Sequence, residues 1–244
     1  MSESIARLGP PPPDWRRQCV EQPRPGRRHA LILCNGLPPP PDLLHRGLED
    51  AELFIAADGG AVRAARLGVR PDVVVGDLDS FSREESSRRG GARGVLEGVR
   101  VEHRPDQESN DLEKALDYAL ARGMESASIL GATGLRLDHT LKNLSVLKRY
   151  RGRLCLWMAD AHHTIWLCGR GAVIRGEIGQ PLSLFPLSGR ASGIWTDGLR
   201  YPLHGESLEN GHRDGTSNAL EQSTAYVWVG EGDLLLFLVR PENA

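Results

Sequence analysis

Short apolar runs alternate with amphipathic helix patterns over more than half of the chain. The apolar runs cover residues 30–34, 53–57, 73–75, 128–130 and 154–158, with a weaker run at 99–103. Helices are predicted at 61–67, after the capping pair Asn110 and Glu113, and at 138–150. Strands that alternate with helices predict a parallel sheet covered on both faces, so the expected fold is α/β with a Rossmann-like first domain.

Two aspartates follow the third apolar run almost directly. Gly76 ends the run, and one residue separates Asp77 from Asp79, so their side chains point the same way if the chain stays extended. Ligands bind at the carboxyl ends of strands in open parallel sheets, and paired carboxylates are ligands for hard cations. An acidic turn in which Asp79 or Ser80 caps the next helix is the alternative interpretation.

The turns after the other strands carry glycine and further polar groups. The topology gathers them at one sheet edge: Asn35 with Gly36, Asp58 with Gly59 and Gly60, Asp111, and the segment 131–138. Carboxylates in a cleft repel one another unless a cation is present, and Mg²⁺ binds carboxylates together with phosphate oxygens. The glycines let backbone amides approach phosphates, and Arg136 offers a bidentate grip. Phosphoryl-type transfer on a nucleotide is the predicted chemistry, although each turn taken singly is typical of an ordinary turn.

The pattern changes near Cys168, where short apolar segments are separated by Gly, Asn and Asp turns. This predicts a small antiparallel β-sandwich domain at 168–244, after an α/β domain at 29–167. Tyr201 lies in an alternating segment, which favours a core position. Residues 1–28 are rich in proline, carry scattered arginines and lack apolar periodicity, so a disordered tail is predicted there.

Composition limits the partners that the chain can have. With 244 residues and a formal net charge of -2, it has no basic excess that would indicate nucleic acid. No apolar run approaches membrane-spanning length, and the first residues lack a secretory apolar region. A cytoplasmic enzyme without a membrane partner is therefore expected.

Five motifs, in this order, resemble those of the thiamine pyrophosphokinase family. They are Ala-Asp-Gly-Gly-Ala at 57–61, Pro-Asp-Val-Val-Val-Gly-Asp-Leu-Asp-Ser at 71–80, Asp-Gln-Glu-Ser-Asn-Asp-Leu-Glu-Lys at 106–114, Gly-Ala-Thr-Gly-Leu-Arg-Leu-Asp-His at 131–139 and Thr-Ser-Asn at 216–218. The Gly-Asp-x-Asp-Ser block with a later Arg-x-Asp-His is the most specific part. The resemblance spans nearly the whole chain outside the first residues.

The resemblance implies transfer of the β,γ-pyrophosphoryl group of ATP to the hydroxyethyl oxygen of thiamine, giving thiamine diphosphate and AMP. It implies that Mg²⁺ is held by Asp77, Asp79 and Asp111, and that Asp58 and Asp138 act at the reacting groups. The nucleotide contacts would be Asn35, Gly36, Gly59, Gly60, Gly131, Thr133, Arg136, His139 and Asn143. The thiamine contacts would be Gln107, Tyr201, Ser217 and Asn218, in a homodimer whose thiamine pocket lies between the α/β domain of one subunit and the β domain of the other.

The sequence departs from the family pattern at three of these motifs, one departure being Val62, which stands where asparagine is common. Glu108 and Asn110 stand where the family usually has Asp-x-Thr-Asp, so a carboxylate role at Glu108 is in question, while Asn110 still suits a helix cap. Leu135 replaces a glycine beside the expected phosphate site. A bulky side chain there would tighten or reshape nucleotide binding.

Three other functions fit part of the pattern. A pterin pyrophosphokinase would share the α/β half and the metal chemistry. The β domain of this chain and its Thr-Ser-Asn loop favour thiamine over a pterin, because the resemblance ties both features to thiamine. A haloacid-dehalogenase-type phosphatase also has Asp-x-Asp after a strand, but it needs a following threonine and a downstream lysine with no clear match here. A non-catalytic protein that binds thiamine or its diphosphate would not need the full set of carboxylates.

Overall fold

The chain divides into two compact units, one of Arg24–Ala161 and one that combines Met1–Pro23 with His162–Ala244. The structure, a computed structural model, describes residues 9–78, 97–106 and 108–241. The helices in these residues are α1 (Trp15–Gln18), α2 (Pro41–Asp50), α3 (Gly60–Arg66), α4 (Asp111–Ala121) and α5 (Leu137–Arg149). The strands are β1 (Val20–Glu21), β2 (His29–Leu33), β3 (Leu53–Ala57), β4 (Val73–Gly76), β5 (Arg100–His103), β6 (Ser126–Leu130), β7 (Cys155–Ala159), β8 (His163–Cys168), β9 (Gly171–Arg175), β10 (Pro181–Pro186), β11 (Arg190–Asp197), β12 (His204–Glu209), β13 (Gly215–Ala219), β14 (Thr224–Trp228) and β15 (Leu234–Val239).

The first unit, Arg24–Ala161, is built on a parallel sheet with the strand order β7-β6-β2-β3-β4-β5. Every residue of β2, β4 and β6 is buried. Because consecutive residues of a strand point to opposite faces, a strand buried throughout is covered on both faces. This confirms the α/β prediction and places the ends of β2, β3, β4 and β6 at one edge of the sheet.

Helix α4 begins at the predicted capping pair. The side chain of Asn110 accepts a hydrogen bond from the N–H of Glu113 at 2.9 Å, and the Glu113 carboxylate accepts one from the N–H of Asn110 at 3.0 Å. These two bonds satisfy backbone donors that the first turn of a helix leaves without partners. The start of α4 is therefore fixed, and with it the position of Asp111.

Helix α5 turns inward a face that only partly matches its leucine pattern, since Leu147 is buried and Leu144 half-buried as predicted. The pattern assigns Leu141, Leu144, Ser145 and Leu147 to the sheet, but Leu141 is 69% exposed and Ser145 is exposed as well. The covered face runs instead through Asn143, Leu147 and Tyr150. Asn143 takes an inward position because its amide has hydrogen-bond partners there, which apolar periodicity cannot reveal.

The second unit contains two antiparallel groups of strands, as the β-sandwich prediction requires. One group has the order β9-β14-β11-β12, and the other has the order β13-β10-β15-β8. Inward residues such as Leu182, Leu184 and Leu236 are fully buried. Strand β8 belongs to this unit, so the boundary falls at 161/162 rather than at 167/168.

The segment predicted as a disordered tail has a defined place in its described part. Trp15 of α1 is buried, with its ring 6.2 Å from Tyr226 and 6.4 Å from Trp228 between centroids. Strand β1 then pairs in parallel with β9. The prediction from 1–28 is therefore wrong for residues 9–28, because one large aromatic anchor and two strand residues order a segment whose average composition is polar. None of the described helices has the length and apolar character needed to cross a membrane.

Candidate active site

Three aspartates from separate segments meet at the carboxyl edge of the parallel sheet. Asp58 follows β3, Asp77 follows β4, and Asp111 is the first residue of α4. A Cβ atom on Gly76 would lie 2.7 Å from Cβ of Asp58 and 3.1 Å from Oδ1 of Asp111. The backbone N–H of Asp77 faces the Asp111 carboxylate and favours its charged form. The structure thus brings together the carboxylates that the sequence places at this edge.

We call Asp58, Asp77 and Asp111 the acidic cluster. The environment of the cluster changes the pKa of Asp111. Burial, followed by the negative charges of Asp58 and Asp77, raises the pKa of Asp111 from 3.8 to about 6. Its Oδ1 atom is buried and has no hydrogen-bond partner among the described residues. Carboxylates arranged in this way are stabilised by a nearby cation.

Lys114 supplies a positive charge that sequence reasoning missed. Its side chain is only 3% exposed, and its Nζ atom lies 3.6 Å from Oδ2 of Asp77 and 3.7 Å from Oδ1 of Asp111. Lys114 stands three residues after Asp111 on α4, so the two side chains share a helix face. That spacing was the one signal in the sequence that could have identified it.

A pocket of about 360 Å³ opens beside these carboxylates, within the Arg24–Ala161 unit. Nine of the expected site residues line it: Asn35, Gly36, Asp58, Gly59, Asp111, Gly131, Arg136, His139 and Asn143. Leu135, the residue that replaces the family's glycine, also lines the pocket, with a left-handed φ of 57° and an exposed side chain. The pocket is therefore shaped by the loops after β2, β3 and β6 and by the starts of α4 and α5.

Glycine is required in two of these loops for packing against one another. The N–H of Gly36 donates to the carbonyl of Gly131 at 2.6 Å, and a Cβ atom on Gly36 would overlap that carbonyl oxygen. A Cβ atom on Gly60 would likewise overlap the carbonyl oxygen of Leu33. Close backbone contact explains these glycines, and their approach to phosphate stays a prediction.

Arg136 and Asp138 form an exposed pair at the rim of the pocket. Two guanidinium nitrogens of Arg136 donate to the two carboxylate oxygens of Asp138, the Nε contact at 2.8 Å. These hydrogen bonds lower the pKa of Asp138 to about 2. Asp138 does not line the pocket, and neither does Thr133, whose hydroxyl donates to Asp160 at 3.0 Å.

Asn143 joins the start of α4 to the loop after β6. Its Nδ2 donates to the carbonyl of Ala132 at 2.9 Å, and its Oδ1 accepts from Nδ2 of Asn110 at 3.1 Å. Both ends of the amide are thus used within the protein. These contacts indicate that Asn143 holds the pocket wall in place, while a direct nucleotide contact stays a prediction.

The second unit carries the residues expected on the thiamine side. Tyr201 is 62% exposed, so its interpretation as a core residue is wrong. Asn218 is buried, and its side chain accepts from the N–H of Tyr201 at 3.0 Å and donates to the carbonyl of Tyr201 at 2.8 Å. Ser217 is exposed and has a left-handed φ of 60°. The local chain path, rather than the alternation of the sequence, turns the Tyr201 ring outward.

Two expected site residues, Asp79 and Gln107, lie outside the described residues, as does Ser80. Within 9–78, 97–106 and 108–241, no three His, Cys, Asp or Glu side chains are close enough together to hold a metal ion. Asp77 and Asp111 are the described members of the expected magnesium set, and their role as ligands stays a prediction.

A parallel-sheet unit with an acidic pocket at its carboxyl edge, joined in one chain to a β-sandwich unit, indicates a two-domain enzyme whose ligand site lies at the carboxyl ends of the strands. Two family models match the two parts: "Thiamin pyrophosphokinase, catalytic domain" at residues 44–156, and "Thiamin pyrophosphokinase, vitamin B1 binding domain" at residues 172–232. The chain belongs to the thiamine pyrophosphokinase family and is an enzyme of that type.

Individual relatives agree with the family models. Thiamine pyrophosphokinase 2 of Arabidopsis thaliana is 30% identical over 240 residues, which covers 86% of this chain and 85% of the plant protein. Thiamine pyrophosphokinase of Bacillus subtilis (strain 168) is 27% identical over 191 residues, which covers 77% of this chain and 87% of the bacterial one. A crystal structure of thiamine pyrophosphokinase from Bacillus subtilis has a TM-score of 0.74 at 25% identity, covering 88% of this chain and 100% of that chain.

Proposed function

We propose that the protein transfers the β,γ-pyrophosphoryl group of ATP to the hydroxyethyl oxygen of thiamine, giving thiamine diphosphate and AMP. Membership of the thiamine pyrophosphokinase family supports the reaction. The observation that carries it for this chain is the convergence of Asp58, Asp77 and Asp111 beside a pocket of about 360 Å³. We place the reaction in the cytoplasm, as the composition predicts.

The residues at the cluster fit a magnesium ion. Carboxylate oxygens are the ligands that Mg²⁺ prefers, and the buried Oδ1 of Asp111 lacks a hydrogen-bond partner among the described residues. Asp77 and Asp111 would hold the ion together with Asp79. When bound, Mg²⁺ would offset the negative charge of the phosphates.

The side chains of the protein have to orient the two reactants and accept the proton of the thiamine hydroxyl. A primary alcohol is a poor nucleophile, so most of the rate gain comes from orienting it against the β-phosphorus. Asp58, a buried member of the cluster, and Asp138 are the carboxylates proposed to act at the reacting groups. One of them within hydrogen-bond reach of the hydroxyl would accept its proton late in the step.

The nucleotide is proposed to occupy the pocket beside the cluster. Its lining offers the backbone of Gly36, Gly59 and Gly131, the guanidinium of Arg136, and the ring of His139. A planar guanidinium suits a phosphate group, and backbone amides near glycine can approach one closely. Asn35, Gly60, Thr133 and Asn143 belong to the same proposed nucleotide side.

The thiamine side is proposed to be formed by Gln107, Tyr201, Ser217 and Asn218. Tyr201 presents an exposed aromatic ring, which suits stacking on a heteroaromatic ligand. We propose a homodimer in which the thiamine site forms at the subunit interface, from the α/β unit of one protomer and the β unit of its partner. Family membership supports this assembly.

A thiamine-dependent assay of AMP release tests the proposed reaction. With thiamine and MgATP the protein should release AMP and form thiamine diphosphate, whereas a hydroxymethyl pterin in place of thiamine should give no AMP. Asp77→Asn and Asp79→Asn should each lower turnover by about 100-fold or more, since the charge on the phosphates is then poorly offset. Asp42→Asn is the matched control, because Asp42 forms an exposed ion pair with Arg46 on α2. Pterin-dependent AMP release, or full turnover of Asp77→Asn at ordinary magnesium, would contradict the proposal.

Mixing two variants that are impaired in different units tests the shared site, at a thiamine concentration well below the KM of Tyr201→Ala. Asp77→Asn impairs the α/β unit, and Tyr201→Ala weakens the proposed thiamine side of the β unit. If each site takes one unit from each protomer, a mixed dimer contains one site with neither substitution, and activity should return on subunit exchange. Light scattering should give twice the 26.7 kDa chain mass. A monomeric mass, or no recovery on mixing, would rule out the shared site.

A further inference from the structure

Lys114 differs from the other lysines of the chain in being buried. The sequence contains three lysines, Lys114, Lys142 and Lys148. Lys114 is 3% exposed and faces Asp77 and Asp111, while Lys142 of α5 is 48% exposed and pairs with Glu113 of α4. A buried ammonium group is costly unless it has anionic partners, and the carboxylates of Asp77 and Asp111 are the partners that lie beside it.

We propose that Lys114 is the fixed counter-ion of the acidic cluster: it holds Asp77 and Asp111 together when no divalent ion is bound, and it weakens the binding of a free divalent ion. This inference rests on the magnesium site of the proposed function. Lys114 is thus a positioning residue, since it acts through the carboxylates.

The distances support a shared electrostatic role for Lys114. At 3.6 Å from Asp77 and 3.7 Å from Asp111, its Nζ atom is beyond ordinary hydrogen-bond length from both carboxylates and nearly equidistant from them. Two of the three carboxylates of the cluster, those of Asp77 and Asp111, thus lie beside the same ammonium group. At such separations opposite charges still attract strongly in a partly buried site. Lys114 therefore offsets the repulsion that would otherwise drive the carboxylates apart.

The same charge has an opposite effect on an incoming cation. A divalent ion bound to Asp77 and Asp111 would stand close to the ammonium group and be repelled by it. A triphosphate brings negative charge of its own, which offsets this repulsion. We therefore expect a divalent ion to bind weakly without nucleotide and more tightly when it is bound to a triphosphate.

Binding of Mn²⁺ without nucleotide measures this effect directly, by calorimetry or by the electron paramagnetic resonance of the free ion. Lys114→Met keeps most of the length of the side chain and removes its charge, so the Kd for Mn²⁺ should fall by about tenfold or more. In EDTA the same variant should melt at a lower temperature than the unaltered protein, and Mn²⁺ should raise its Tm by more. Lys114→Arg keeps the charge and should keep a Kd close to that of the unaltered protein.

Lys142→Met is the matched control, because Lys142 pairs with Glu113, a carboxylate of α4 that is not part of the acidic cluster. Its Kd for Mn²⁺ should be unchanged. If Lys114→Met does not fold in EDTA, the double variant Asp111→Asn with Lys114→Met restores the charge balance and should melt higher than Lys114→Met alone. A double variant no more stable than the single one counts against the proposal.

A Kd for Mn²⁺ that is unchanged or higher in Lys114→Met overturns the counter-ion role. Failure of the proposed function shows elsewhere: the unaltered protein would then release no AMP with thiamine and MgATP. The two results are read from different experiments on the same protein, so either can fail alone.

Discussion

Oδ1 of Asp111 lies 3.1 Å from the point at which a Cβ atom would stand on Gly76. The same Cβ atom would lie 2.7 Å from Cβ of Asp58, closer than such atoms approach. Gly76→Ala should therefore push the two aspartates apart. We expect a cost of about 1–3 kcal/mol in the free energy of unfolding, and a loss of AMP release larger than this destabilisation explains. Urea unfolding and the thiamine-dependent assay measure the two effects.

Gly169→Ala is the control for Gly76→Ala. A Cβ atom on Gly169 would meet nothing within 4 Å. We expect the free energy of unfolding to change by less than about 0.5 kcal/mol and activity to be kept. Normal activity in Gly76→Ala would show that the spacing of Asp58 and Asp111 does not matter to the reaction.

The exposed pair of Arg136 and Asp138 allows function to be separated from stability. Exposed ion pairs contribute little to stability because solvent screens them, so Asp138→Asn and Arg136→Gln should leave the unfolding midpoint nearly unchanged. If Asp138 acts at the reacting groups, Asp138→Asn should lower kcat by about 100-fold, whereas Arg136→Gln should mainly raise the KM for ATP. Steady-state kinetics at saturating thiamine measures both.

The exposed pair of Asp42 and Arg46 on α2 provides the control for this prediction. Arg46→Gln removes a similar surface contact away from the pocket, and it should change neither kcat nor KM. A kcat near normal in Asp138→Asn would restrict Asp138 to holding Arg136.

The sequence predicted most of the α/β unit because its signals are local. Buried strands appear as continuous apolar runs, and the capping box of Asn110 and Glu113 is visible at a spacing of three residues. The convergence of Asp58, Asp77 and Asp111 followed from topology alone, because parallel strands end at the same edge.

The structure differs from the predictions where contacts between residues far apart in the sequence decide which side chains are buried. Asn143 turns inward because Ala132 and Asn110 supply partners, and no periodicity encodes them. Trp15 orders the N-terminal segment by packing on Tyr226 and Trp228, which lie more than 200 residues later. Tertiary contacts of this kind override composition and helical pattern.

Lys114 was missed for a related reason. A lysine on a helix is usually solvated, and only the position of Asp77, on another segment, makes it a buried partner. Tyr201 shows the reverse case, since an aromatic residue in an alternating segment is here exposed. In both cases burial depends on which segments pack together.

Asn218 is expected to act through the backbone of Tyr201. Its side chain accepts from the N–H of Tyr201 and Ala219 and donates to the carbonyl of Tyr201. Asn218→Ala leaves these groups without partners and should cost about 1–3 kcal/mol. It should also raise the KM for thiamine and leave the KM for ATP unchanged, which steady-state kinetics with each substrate varied can measure.

Tyr201→Ala tests the contribution of the Tyr201 ring apart from the hydrogen bonds between Asn218 and the Tyr201 backbone. Because the ring is exposed, its removal should not change the unfolding midpoint, but it should raise the KM for thiamine as Asn218→Ala does. Asn210→Ala, at an exposed asparagine in the same unit, is the control and should change neither quantity. An unchanged KM for thiamine in both Tyr201→Ala and Asn218→Ala would remove this region from the thiamine side.

His29 is expected to make the protein less stable in acid. It is buried in β2, with Nδ1 2.9 Å from Oγ of Ser126, Nε2 3.0 Å from Oγ of Ser128, and its ring stacked on Trp157 at 4.9 Å between centroids. A neutral imidazole can donate at one nitrogen and accept at the other, which matches two hydroxyl partners. His29→Gln should therefore cost about 1–3 kcal/mol at pH 7.5, measured by urea unfolding followed by tryptophan fluorescence.

Burial lowers the pKa of His29 below its ordinary 6.5, against the opposing charge of Asp50. Above pH 6.5 the group is neutral in both the folded and the unfolded protein and does not affect the pH dependence. As the pH falls below 6.5, the unfolded chain takes up a proton at this position before the folded one does, so the free energy of unfolding decreases until the folded pKa is reached. The decrease between pH 7.5 and 5.5 should be smaller in His29→Gln than in the unaltered protein, and unchanged in His45→Gln, at an exposed histidine on α2. An equal decrease in His29→Gln would assign the acid sensitivity to other groups.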